Sequence, residues 1–166
     1  MGARGHRPAA RTLAVLSLLV APLLTVGRAA AQAMPADCGA VREWVDYLNA
    51  MADRQRDLAQ REVELTRDPR VSPETLADGL AAVATDREAA NAEFQAHPVP
   101  PSALSVQTAY SLAWELNAEM ANAYLRAVRT GDERQRGLAD GYTEAGGTIE
   151  ARAARLLNTL LNSCDT

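Results

Sequence analysis

His97 is the first residue to ask about, because it is the only imidazole between residues 34 and 166. An imidazole can bind iron or carry protons. A di-iron site inside a helical bundle needs two Glu-x-x-His motifs. Here Glu93 precedes His97 by four residues, once, and a haem-attaching CxxCH is absent. His97 stands just before Pro98, at a helix end where a histidine commonly tops the last carbonyls. That capping role is the expectation. Glu115 and Glu119 lie one helical turn apart, and paired carboxylates can do acid–base or metal chemistry only when further ligands converge on them. Their own helix adds Asn117 and Asn122 and nothing stronger, so a solvated acidic face is expected. Serine nucleophiles lack a second histidine, and the sequence has no lysine to activate them. No catalytic residue, metal ligand or cofactor is expected, and the chain does not read as an enzyme.

Aromatic residues and cysteines are what remain with chemical character. Only seven aromatic residues occur. Five of them, Trp44, Tyr47, Phe94, Tyr110 and Trp114, fall in the half of the predicted helices nearer the cysteines, together with His97 and a proline link. Rings with polar tips can line a small-ligand pocket or form a partner-binding patch. They can equally fill the wide end of a core otherwise made of alanine and leucine, which is the plainer account. Cys38 and Cys164 have no third partner and no nearby histidine. In an oxidising compartment they read as one disulfide. Closing so long a loop is worth about 4 to 5 kcal/mol by chain entropy.

Four elements must position these groups. Asp68-Pro69 stops the first, because the residue before proline is pushed out of the α region. Ser72-Pro73-Glu74 restarts the chain with an N-cap, a proline at the first helical position and an early acid. His97-Pro98-Val99-Pro100-Pro101 cannot be helical, and Ser102 can cap the third helix. Gly131 supplies a left-handed turn residue, and Asp132 with Gln135 forms a capping box. The spacing predicts helices over about 38–67, 73–97, 102–130 and 133–163.

Each predicted helix carries a core-facing stripe. In the first, Val41, Leu48, Gln55 and Glu62 form one row, and Trp44, Met51, Leu58 and Leu65 the other. The second places Leu76, Leu80, Val83, Arg87, Ala90 and Phe94 inward. The third presents Val106, Ala109, Ala113, Leu116, Met120, Ala123 and Ala127, beside Tyr110, Trp114, Ala121, Tyr124 and Val128. The fourth reads Leu138, Tyr142, Ala145, Ile149, Ala153, Leu156 and Leu160. Loops of two to five residues between helices of similar length predict an all-α, up-down-up-down four-helix bundle. That topology returns Cys164 to Cys38.

Two details test the packing. Gln55 and Arg87 come opposite each other across the first turn, where a buried hydrogen bond would fix register; otherwise Arg87 reaches water along its stem. Gly146-Gly147, costly inside a helix, lies level with Trp114. Missing side chains there would admit the indole, or the helix breaks.

Export accounts for the first 33 residues. Arg4, Arg7 and Arg11 precede an apolar run from Leu13 to Val26, and Ala31-Gln32-Ala33 offers the small residues a signal peptidase needs. The run is too short for a membrane span of roughly 20 residues. Residues 1–33 read as a signal peptide cleaved on the general secretory route, and 34–166 as the mature, periplasmic or extracellular domain. Cleavage removes four of 17 arginines and none of 21 acids, so the net charge moves from −4 to −8. Such an excess repels phosphate backbones and anionic lipid heads. Neither nucleic acid nor a membrane is an expected partner.

From Pro100 to Leu160, the Pro-Pro lead-in, the Gly131-Asp132 turn and the alanine- and leucine-rich arms resemble helical hairpins of exported bacterial proteins. The likeness implies two antiparallel helices. The end-to-end cysteine pair and the His97-Pro98 step are similar to small secreted haem carriers. Length and the remaining residues depart from them, and no ligand is carried over. The expectation is a secreted, non-catalytic binding or structural module for an unknown protein or small-molecule partner. The alternative is a carrier of a small hydrophobic ligand or haem at the aromatic end. Amino-terminal sequencing of exported protein should read from Met34, and an intact Met1 would overturn the leader assignment.

Overall fold

Asp37 shows why a helix begins where it does. Its carboxylate accepts the N–H of Ala40 at 3.2 Å, and the chain enters α1 (Cys38–Arg67). The computed structural model describes residues 37–165, within the unit that runs from Met34 to Thr166. The leader expected over residues 1–33 and the mature start at Met34 lie outside the described residues. Pro69 holds Asp68 extended and ends α1. Ser72 caps α2 (Pro73–Ala96) by accepting the N–H of Thr75, with Pro73 in the first position. Gly131, at φ 67°, closes α3 (Leu104–Thr130) and donates its N–H to the Ala127 carbonyl at 2.8 Å. Asp132 accepts the N–H of Arg134 and starts α4 (Glu133–Asn162).

Two expected caps take other forms. Ser102 sits inside a 3-10 turn, Pro101–Ala103, and α3 begins after it without a side-chain cap. Gln135 does not close a capping box. Its carbonyl oxygen accepts from Arg126 Nε at 2.8 Å, while the Asp132 N–H donates to Thr130 Oγ1 at 3.2 Å. The side chain serves the α3–α4 contact instead of the helix start.

Helices adjacent in sequence pack together in turn, α1 on α2, α2 on α3 and α3 on α4, and no strand occurs among the described residues. The fold is an all-α four-helix bundle. Cys38 and Cys164 are bonded, with Cα atoms 5.5 Å apart, so the start of α1 meets the end of α4. At this end the core draws on all four helices: Trp44, Leu48 and Met51, then Ala90 and Phe94, then Val106, Tyr110, Ala113 and Trp114, with Ala153 of α4. The opposite end holds a smaller group, Ala77, Leu80 and Leu125. Both rows of α1 are buried as expected, with Leu65 half-buried. None of the described helices is long and apolar enough to cross a membrane.

The first half of α4 is turned by one residue from the expected stripe. Leu138 is 48% exposed and Ala145 faces solvent, while Ala139 and Gly146 are buried. Small residues make the contact because α3 comes close. A Cβ on Gly146 would lie 3.0 Å from Asn117 Oδ1 and 3.5 Å from the Ala113 carbonyl. Trp114 is buried as expected, but Gly146 accommodates Asn117 and the α3 backbone, and the indole is not among its nearest neighbours. Space around Gly147 is open, and α4 runs through both glycines unbroken.

Arg87 also chooses a different partner. It is 2% exposed, so it does not reach for water, and its Nη2 donates to Glu62 Oε2 at 2.9 Å. Gln55 is buried with no partner for either amide atom. The pairs Arg54–Glu93 at 2.7 Å and Arg61–Asp86 at 3.4 Å share the register that brings Arg87 to Glu62. Burial pushes the Glu62 carboxyl above its ordinary pKa, and the Arg87 charge and hydrogen bond oppose that rise. A carboxyl raised in the fold contributes fully below its unfolded pKa and loses that contribution as pH climbs through the folded value.

Urea unfolding reads both of these contacts. Gly146→Leu should destabilise by about 1 to 3 kcal/mol through overpacking, whereas Gly147→Ala should stabilise by about 0.5 to 1 kcal/mol. Arg87→Met should cost about 3 to 5 kcal/mol at neutral pH by leaving Glu62 buried and unpaired, and adding Glu62→Leu should recover most of it. The single-variant deficit should shrink on acidification as Glu62 takes a proton. A deficit that grows toward acid would refute this account.

Candidate ligand cleft

One turn of α1 sets Glu43, Trp44 and Tyr47 on neighbouring positions near the disulfide. Trp44 and Leu48 anchor that face in the core, which leaves Tyr47 half-buried and Glu43 exposed. Across from it runs the link between α2 and α3. Proline keeps this link extended, with His97 at ψ 133° and Pro100 at φ −60°, ψ 139°. Gln107 of α3 pins it from behind: its Nε2 donates to the carbonyls of Phe94 at 3.0 Å and His97 at 3.3 Å.

That arrangement reverses the role expected of His97. Its backbone N–H donates to the Phe94 carbonyl at 3.3 Å, but the amide of Gln107, and not the imidazole, caps the helix end. The imidazole stacks on Tyr47 instead, with centroids 3.5 Å apart and planes 13° from parallel. Sequence reasoning missed Gln107. The signal was there, since it lies at helical spacing from Ala103 and Tyr110 on the buried face, where an amide must find a partner.

All six candidate residues join one chain of ring contacts. His97 stacks on Tyr47, and Tyr47 lies parallel to Phe94 at 6.2 Å. Phe94 touches Trp44 at 6.3 Å and Trp114 at 4.6 Å, and Trp114 meets Tyr110 at 5.7 Å. From Tyr47 inward, these spacings and tilts are those aromatic pairs prefer. The chain has an inside and an outside. Phe94 and Trp114 are fully buried, and Tyr110 is 9% exposed. Trp44, Tyr47 and His97 line a surface cleft of about 530 Å³ with Ala40, Glu43 and Pro98 to Pro100.

Two side chains that line this cleft each carry a polar atom with no partner among the described residues. Trp44 Nε1 and Tyr47 Oη are both buried and unbonded. Burial raises the Tyr47 phenol above its ordinary pKa, Glu93 adds to the rise, and Arg54 opposes it. Glu43, Tyr47 and His97 are the titratable groups lining the cleft, and no hydrogen bond joins any two of them. The groups present can stack, accept and donate hydrogen bonds. A smaller hollow of about 380 Å³ lies between Gln95 and the Thr108–Glu115 face of α3; it is lined in part by Ser111, whose buried Oγ has no partner among the described residues. Glu115 and Glu119 are both exposed, and no group of three or more His, Cys, Asp or Glu side chains among the described residues is placed to hold a metal ion.

Gln107→Leu should cost about 1 to 3 kcal/mol, because the His97 carbonyl loses the amide donor and the Phe94 carbonyl keeps only the His97 N–H. Hydrogen exchange should quicken at the His97 amide, and unchanged exchange there would mean the link is held by its prolines alone. No protein-family model matches this chain, and no curated protein or solved structure is significantly similar to it, so no family is assigned.

Proposed function

We propose that this protein is an exported, non-catalytic binding module that holds a small molecule in the cleft at its disulfide end. One observation carries the proposal. The cleft has an apolar, ring-lined wall, and two of its side chains, Trp44 and Tyr47, each carry a buried polar atom that no described residue satisfies. Its volume falls within the range of small-molecule sites, which mix a mostly apolar lining with a few placed polar groups. The disulfide supports export, since such bonds persist in oxidising compartments. The acid excess argues against nucleic acid as the partner.

The test is to purify the protein natively, unfold it, and identify what is released by mass spectrometry. A small molecule should appear in stoichiometric amount and be lost from a Tyr47→Ala variant. Native absorbance separates the haem alternative, because a visible band marks a bound chromophore. If nothing is released, and no compound in a small-molecule library raises the unfolding temperature, the ligand-binding reading fails.

A further inference from the structure

Resting on that reading, we infer that the cleft takes a flat aromatic molecule bearing a neutral hydrogen-bond acceptor, such as a ring carboxamide or ketone, and rejects the matching carboxylate.

Flatness comes from the wall. Phe94, Tyr47 and His97 lie nearly parallel, at 12° and 13° between successive planes. The imidazole is the outermost ring of this stack and lines the cleft. Another ring can extend the stack over His97 or take the place of the imidazole on Tyr47. Replacement is easy, because no hydrogen bond of the described residues involves the His97 ring and stacking alone holds it. The volume suits two or three fused rings.

An acceptor is required by the orphaned atoms. Indole Nε1–H is a donor only, so Trp44 is satisfied solely by an acceptor. Tyr47 Oη can also donate. Both atoms are shielded from solvent and belong to side chains that line the cleft. A ligand gains them when the side chains that cover them turn aside. An unmet buried donor is a standing cost in the free protein, and an acceptor relieves it on binding.

Rejection of the carboxylate is a matter of charge. Glu43 lines the cleft, and no arginine among the described residues does. Burial raises the Tyr47 phenol and Glu93 adds to the rise, while Arg54, which opposes it, is already committed to Glu93 at 2.7 Å. An anionic ligand would meet like charge with no counterion to receive it.

The experiment titrates nitrogen-15-labelled protein with 2-naphthamide, 2-naphthoate and naphthalene, one ring system with three edge chemistries. 2-Naphthamide should shift the Trp44 indole N–H proton downfield, with little change at Trp114. It should bind about tenfold more tightly than either of the others, the ratio expected of one well-made buried hydrogen bond. Tyr47→Phe and Trp44→Phe should each narrow that preference while naphthalene binding persists. Should the buried Trp44→Phe variant fail to fold, Tyr47→Phe still decides. Equal affinity for the three probes would overturn the acceptor inference and leave the binding module standing. A Trp44 resonance that none of the probes moves would also overturn it, and the extraction experiment then judges the module by itself.

Discussion

One covalent bond organises this molecule. Cys38 and Cys164 stand 126 residues apart in sequence, yet their Cα atoms lie 5.5 Å apart. An even number of antiparallel passes satisfies that demand, and four helices of 24 to 30 residues do so with short turns. In the chain-entropy account the bond acts mainly on the unfolded state, where closing so long a loop removes about 5 kcal/mol of disorder. It also decides what shares an end with what. The first turns of α1, the proline link and the last turns of α4 converge beside the cross-link, and the large rings fill the space between them.

The interior therefore changes character along its length. Near the disulfide it is aromatic and drawn from four helices. Farther along it becomes small and partly polar, with Ala118, Ala121, Ala123 and Ala127 of α3 buried, as are Gln55, Glu62, Arg87 and Asn91. A buried ion pair is weak evidence of net stability, because desolvation offsets much of the attraction. Its value here is positional. Arg87 meets Glu62 in the same register as the outer pairs from Arg54 to Glu93 and from Arg61 to Asp86, and that register sets Tyr47 level with Phe94 and His97.

Legibility tracked regularity. The heptad rows of α1 were readable because every seventh position repeats a burial demand, and Gln55 and Glu62 stood out as polar residues within them. The partner of Arg87 was not readable, since it depends on how many residues the turn from Asp68 to Ser72 consumes. Leu138 misled for another reason: apolar type alone put it in the core, but the close approach of α3 favoured Ala139 and Gly146. At the cleft, the six aromatic and imidazole residues could be gathered to one end from helix register alone. Which of them faced outward could not, because that rests on Gln107 holding the link and freeing the imidazole to stack.

The uneven interior has a dynamic consequence. Helical proteins open in cooperative parts whose free energies depend on local packing and cross-linking. Here the turns at 68–72 and 130–132 close the end that has the smaller core and no covalent tie. That end is the natural place for the bundle to breathe, with α1 and α2 loosening beyond Glu62 and α3 and α4 beyond Tyr124. Opening there need not spread to the ring-lined end, where the disulfide keeps the start of α1 on the end of α4. The protein can therefore relax at one pole while the first and last helices stay joined at the other.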